Sequence, residues 1–237
     1  MVLAKSSGES KGKKRFGPGR SVLRKAAQDR GRQSHNLWYH YSARLRRDVV
    51  LKNDLAFAHF CLLEGDPRVS SYELDPEPIA VVIGHETRTI EYHALVTLRD
   101  GPPEIRILES KKTLEENALP AGQSVERAAT QAGFRCVRIT AELLAPYQQL
   151  IANWRCALAF LASCRGVNLK PYATNIETRC RGLHRSTIEE LLHGTNAIER
   201  PLYQAALFTC LQSASLLSDL DEKPLCASSL IWEVGHE

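Results

Sequence analysis

The chain has 237 residues, of which 43% are hydrophobic and 24% are charged, and its formal net charge is +4. This composition is typical of a soluble protein with one large domain or two small ones. No apolar run approaches the ~20 residues of a membrane span, and the first residues lack the apolar centre of a secretory signal. We therefore expect a cytoplasmic protein without membrane contact.

Positive charge is concentrated at the N-terminus. Residues 1–47 hold 13 Lys/Arg and 2 Asp/Glu, a net charge of +11, so the remaining chain carries −7. Residues 1–33 are rich in Gly, Ser, Lys and Arg and are predicted to be a basic disordered arm, because they have too little apolar surface to fold. Such an arm indicates contact with nucleic acid or an acidic partner, and a solvated tail is the alternative.

Residues 34–164 are predicted to form an α/β domain. In "NLWYHYSARLRRDVVLKNDLAFAHFCLLEG", apolar residues recur at steps of three, four and seven, which predicts one long helix ending at Gly65. Strands are predicted in "VSSYEL", "PIAVVIG", "TRTIEYHALVTL" and "EIRILES". The helix "SVERAATQAGF", the strand "RCVRIT" and one or two helices up to residue 164 follow.

The C-terminal part is predicted to be smaller and largely helical. Residues 165–185 hold Gly and Pro without a clear period and are interpreted as a linker. In residues 186–237, Ser186 and Glu189 have capping-box spacing before a short helix, and Pro201 opens a second helix. Turn residues and an apolar strand follow, so a winged-helix-like region is expected.

The cysteines indicate neither disulfides nor a structural metal. The seven cysteines form no CxxC pair, and no histidine pair has zinc-finger spacing. Free thiols in a reducing compartment are therefore expected, without structural zinc.

One strand carries a candidate catalytic pair. In "EIRILESKK", Glu109 and Lys111 are two residues apart, so on a strand they point to the same face. Such a pair holds a metal ion and a reacting phosphate in one large class of nucleases. An ordinary exposed ion pair is the alternative.

Several motifs in order resemble the TnsA endonuclease family, whose members cut one strand at transposon ends in heteromeric transposases. The resemblance runs through "SARLRRD", "EGDPRVSSYELDPEPI", "TIEYHALVTLRDG", "ILESKK", "GFRCVRITAELLAPYQQLIANW" and the C-terminal segment from Tyr203. It implies a PD-(D/E)xK nuclease core with a mixed sheet flanked by helices. It also implies magnesium held by three acids, with a strand lysine that orients the nucleophile.

The match to the family's catalytic residues is partial. Glu109 and Lys111 stand at the strand acid and the lysine, but the other two acid positions fall at Arg46 and Leu95. Arg46 would place a positive charge where a dication should bind. His93 and another strand neighbour, Glu91, share the parity of Leu95 but lie one or two strand steps away, about 7 to 13 Å.

The resemblance therefore implies a TnsA-like, DNA-binding and partner-scaffolding component of a transposition system that does not cleave DNA. No cofactor is expected. Its partners would be DNA and the element's transposase or ATPase regulator. The DNA contacts are predicted at Lys13, Lys14, Arg15, Arg20, Arg24, Lys25, Arg46 and Arg47. One alternative is an active magnesium-dependent endonuclease using Glu109 with Glu91 or His93. The other is an interaction module without a DNA role.

Overall fold

The computed structural model describes residues 36–83, 86–109 and 120–235, together with residue 28. The described chain is a mixed α/β protein in which helices flank a mixed sheet. Its strands are β1 (Trp38–Ser42), β2 (Arg47–Leu51), β3 (Val69–Leu74), β4 (Ile79–Ile83), β5 (Glu86–Ile90), β6 (Ala94–Leu98), β7 (Glu104–Leu108), β8 (Arg135–Ile139), β9 (Ser186–Thr187), β10 (Leu216–Ser218) and β11 (Leu230–Glu233). Its helices are α1 (Asp54–Gly65), α2 (Pro120–Gln131), α3 (Ala141–Leu144), α4 (Gln148–Ser163), α5 (Lys170–Cys180), α6 (Ile188–Leu191) and α7 (Arg200–Ser213). A short 3-10 turn, Ala145–Tyr147, joins α3 to α4.

The prediction of one long helix before residue 65 was wrong. Its first half forms an antiparallel hairpin, β1–β2, in which Trp38 pairs with Leu51. Asn53 then caps α1 by accepting a hydrogen bond from the Ala56 amide at 2.7 Å. Aromatic and β-branched residues favour strands, and here that preference outweighs the helical spacing. The second half of the prediction was correct, because α1 is helical from Asp54 to the predicted end at Gly65.

The central sheet has the strand order β3-β6-β7-β8. Its first three strands are antiparallel, and β8 runs parallel to β7 after the crossover through α2. Ala94 and Val96 of β6 belong to the large core with α1 and α4, whereas Leu95 packs with Ile105 and residues of α2. The two faces of the sheet therefore contact different helices, as strand alternation requires.

The predicted strand "TRTIEYHALVTL" is two strands rather than one. Residues 91–93 separate β5 from β6, and β5 pairs with β4 in a two-stranded sheet of its own. Ile79 and Ile90 of this hairpin pack against the core cluster around α2. The chain therefore leaves the central sheet after β3 and returns to it at β6.

The predicted linker contains a helix. Residues 170–180 form α5, with Ile176 and Cys180 buried. Glycine and proline misled the interpretation, because Pro171 occupies the first turn of α5, where proline is tolerated. Helix α5 packs on α7, and the same core continues from Val49 to Ile231.

The short helix α6 begins one residue later than the capping-box prediction placed it. Thr187 and Glu190, rather than Ser186 and Glu189, form the reciprocal hydrogen bonds. Ser186 is buried in β9, opposite Ile231 of β11. The proline-opened helix was predicted correctly, as α7 has Pro201 in its first turn.

Candidate functional site

Glu109 lies buried immediately after β7, where it forms an ion pair with Arg138 of β8. The same guanidinium binds Glu126 of α2 at 3.0 Å. Two carboxylates therefore share one cation at this end of the sheet. Lys111 lies outside the described residues, as do the predicted DNA contacts at positions 13–25.

The positions that the resemblance assigns to the other two acids do not meet Glu109. Arg46 is not on a helix but in the β1–β2 turn, exposed and with a left-handed φ of 53°. Leu95 lies opposite Ile105 in the sheet. Glu109 is four residues further along β7, about 13 Å away along the strand. A shared metal site at these three positions is therefore incompatible with the geometry.

The opposite face of β7 carries a buried polar cluster that the sequence analysis missed. Glu104 and Arg106 are two residues apart on this strand and form an ion pair at 2.8 Å. The Arg106 guanidinium also contacts His59 of α1 at 3.4 Å. Glu104 and Arg106 have the same acid-x-base spacing as Glu109 and Lys111. This spacing is the sequence signal that could have identified the pair. Both side chains are more than nine-tenths buried, so the pair is part of the core.

Two histidine rings complete this cluster. The ring centroids of His59 and His93 are 5.5 Å apart, and His93 Nδ1 lies 3.6 Å from an Asp75 carboxylate oxygen. A guanidinium can only donate hydrogen bonds, so His59 Nε2 accepts from Arg106 and the ring proton is on Nδ1. Burial, then the nearby His93 and Arg106, lower the pKa of His59 well below its ordinary value. His59 is therefore held as a neutral imidazole.

The cluster does not have the composition of a magnesium site. Magnesium requires several oxygen ligands in octahedral geometry. Glu104 is the buried acid here, and its carboxylate is already bound by Arg106. Within residues 36–83, 86–109 and 120–235, no three His, Cys, Asp or Glu side chains are grouped so that they could hold a metal ion.

A second buried polar group joins the N-terminal hairpin to the C-terminal helices. The Glu64 carboxylate accepts hydrogen bonds from Ser42, Tyr72 and Gln212. The Arg44 guanidinium donates to main-chain oxygens on both sides of the same group, including those of Val69 at 2.7 Å and Gln212 at 2.9 Å. Burial raises the pKa of Glu64. This group holds the elements together and is closed to solvent.

The exposed feature with the clearest chemistry is a basic groove of about 1070 Å³. It lies between the β1–β2 hairpin, the loop joining α4 to α5, and α7. Its cations are Arg46, Arg47, Arg165 and Lys170, and its acid is Asp48, which binds Arg165 at 3.1 Å. Two of the predicted DNA contacts, Arg46 and Arg47, therefore lie exposed at one anion-attracting surface.

Comparison with protein-family models and with curated proteins finds no match to this chain. No helix in the part of the chain that the structure describes is both long enough and apolar enough to cross a membrane.

Proposed function

We propose that this protein is a TnsA-like, DNA-binding and partner-scaffolding component of a transposition system that does not itself cut DNA. The fold supports this proposal at a coarse level. A mixed sheet flanked by helices is what a PD-(D/E)xK core requires, and β7 carries Glu109 at its end. The ordered motifs described above supply the link to transposition.

The observation that carries the non-cleaving assignment is the pairing of both acids of "EIRILE" with arginine. Glu104 binds Arg106 on one face of the sheet, and Glu109 binds Arg138 on the other. Metal-assisted hydrolysis needs ionised carboxylates that are available to a dication. The guanidinium beside each of these acids occupies carboxylate oxygens that a dication would need, and its positive charge opposes metal binding.

The C-terminal elements support a scaffolding role. Three helices, α5 to α7, with β9 and the β10–β11 pair have the content of a winged-helix-like unit. Ala205 to Leu211 of α7 are largely buried, so this helix does not present a face to a DNA groove. Ile198, which precedes α7, is 87% exposed, and Leu183 is 48% exposed. We assign these two exposed apolar residues to contact with the transposase or the ATPase regulator.

Two measurements test the proposal. Supercoiled plasmid incubated with the protein and Mg²⁺ or Mn²⁺ should stay intact, because the acids are paired. Nicking by the wild type that is lost in Glu109→Gln contradicts the non-cleaving assignment and supports the endonuclease alternative.

The second measurement is duplex DNA binding at several salt concentrations. Each phosphate contact that is lost flattens the slope of log affinity against log salt by about 0.9. A protein lacking residues 1–33 should therefore show a shallower slope than the full chain. No DNA binding by the full chain contradicts the DNA-binding role and leaves the interaction-module alternative.

A further inference from the structure

The basic groove carries positively charged side chains on both of its walls. Arg46 and Arg47 stand on the hairpin wall, and Lys170 stands at the start of α5 on the other. All three are exposed, and in the described part of the chain none of them forms an ion pair with a carboxylate. Asp48 is neutralised by Arg165. The groove is therefore a local cationic surface on a body whose net charge is negative.

The residues of both groove walls have defined backbone positions. Arg46 adopts φ 53°, a left-handed conformation that costs a non-glycine residue free energy. Arg165, on the facing loop, lies over the ring of Tyr41 at 4.8 Å and is fixed there by Asp48. The cations of one wall therefore lie on the β1–β2 hairpin, and those of the other lie on the loop before α5 and at its start.

The chain's own basic arm is excluded as the occupant by its charge, because residues 1–33 hold 10 Lys/Arg and 2 Asp/Glu, a net charge of +8. Arginine favours phosphate through paired, planar hydrogen bonds. Two arginines and one lysine without a carboxylate partner, Arg46, Arg47 and Lys170, line an open groove of about 1070 Å³ and fit a repeating phosphate backbone. We propose that this groove binds the phosphodiester backbone of duplex DNA, independently of sequence and in addition to any contact by the arm.

This inference rests on the proposed DNA-binding function and names its site on the folded body. The test uses the full chain with Arg46→Ala and Lys170→Ala, one change on each wall. Its matched control is Arg127→Ala with Arg181→Ala, which removes the same charge from exposed positions on α2 and at the end of α5. Thermal melting of both double variants checks that they stay folded.

The readout is the salt dependence of binding to a short duplex between about 50 and 200 mM salt. The groove variant should flatten the log–log slope by about 1.8, because two phosphate contacts are lost, and the control should keep the wild-type slope. Equal slopes for the groove variant and the control overturn the groove assignment while leaving DNA binding by the arm intact. Absence of wild-type binding overturns both proposals.

An acidic peptide is the competing occupant. Polyglutamate of the same charge as the duplex should displace the DNA poorly, because its carboxylates do not have the spacing of a phosphate backbone. Displacement at equal concentration overturns the assignment to nucleic acid.

Discussion

Gly65 lies directly against the indole ring of Trp154, so that a Cβ at position 65 would overlap the five-membered ring. Gly65 ends α1, and Trp154 is a fully buried residue of α4. We expect Gly65→Ala to lower the free energy of unfolding by about 1–3 kcal/mol through overpacking. Urea unfolding monitored by circular dichroism measures this loss.

The cause is tested by a double-mutant cycle with Trp154→Leu, which removes the ring. If the overlap is the cause, the two changes should cost less together than the sum of their separate costs. Additive costs would show that Gly65 matters for another reason.

The neutral state of His59 predicts a stability loss in acid. Its ordinary pKa is 6.5, and the folded state lowers that pKa, so below pH 6.5 the unfolded chain binds a proton that the folded protein does not. The free energy of unfolding should therefore fall by up to about 1.4 kcal/mol per pH unit as the pH drops below that value. His59→Gln keeps an acceptor for Arg106 and does not titrate, so its profile should be flatter.

Urea unfolding between about pH 5 and 7.5 measures this difference, a range that spans the ordinary histidine pKa. The control is His184→Gln, since His184 is exposed. It should keep the wild-type pH profile. Parallel profiles for His59→Gln and the wild type would contradict a buried neutral His59.

The ion pair between Glu104 and Arg106 predicts a strong asymmetry between single and double substitutions. Arg106→Leu leaves a buried carboxylate without its main partner and should cost about 3–5 kcal/mol of stability. Adding Glu104→Gln removes that charge and should restore most of the loss. Urea unfolding of Arg106→Leu and of the Arg106→Leu, Glu104→Gln double variant measures the difference. Equal stabilities would show that the charge of Glu104 does not cause the loss.

The capping box at α6 predicts a smaller effect. The Thr187 hydroxyl accepts a hydrogen bond from the Glu190 amide at 3.2 Å. Thr187→Ala should cost about 1 kcal/mol, whereas Thr187→Ser keeps the hydroxyl and should cost much less. Thermal melting of the two variants measures the difference, and an equal loss would assign the effect to the lost methyl group.

The hairpin region shows where sequence patterns were insufficient. Leu45, Val49, Ala56, Phe60 and Leu63 have helical spacing, yet Leu45 is in a turn and Val49 is in β2. A run of aromatic residues followed by two valines favours strands, and Asn53 before Asp54 is a helix-start signal. Both signals were overlooked because the apolar residues follow one helical spacing across 30 residues. A strand followed by a helix can produce the same spacing by chance.

The site was partly predictable. Glu109, Arg46 and Arg47 were named as site residues from the sequence. The structure adds that Glu109 is buried and that Arg46 and Arg47 are exposed. Glu104 and Arg106 were missed although their spacing was visible, because no local pattern shows which face of β7 meets α1. His59 likewise acquires its role only through Arg106 and His93, which are distant from it in the chain.

Arg44 has a consequence for how the protein could be divided. Its guanidinium binds the main-chain oxygens of Glu64 in α1 and of Gln212 near the end of α7, and Gln212 is 168 residues from Arg44 in the sequence. If the chain were cut near residue 165, neither fragment would contain both Arg44 and Gln212. Each fragment would also expose its side of the contact between Trp154 and Phe208. The C-terminal third is therefore not expected to fold as an independent domain. Two such fragments should regain a soluble fold only when they are produced together.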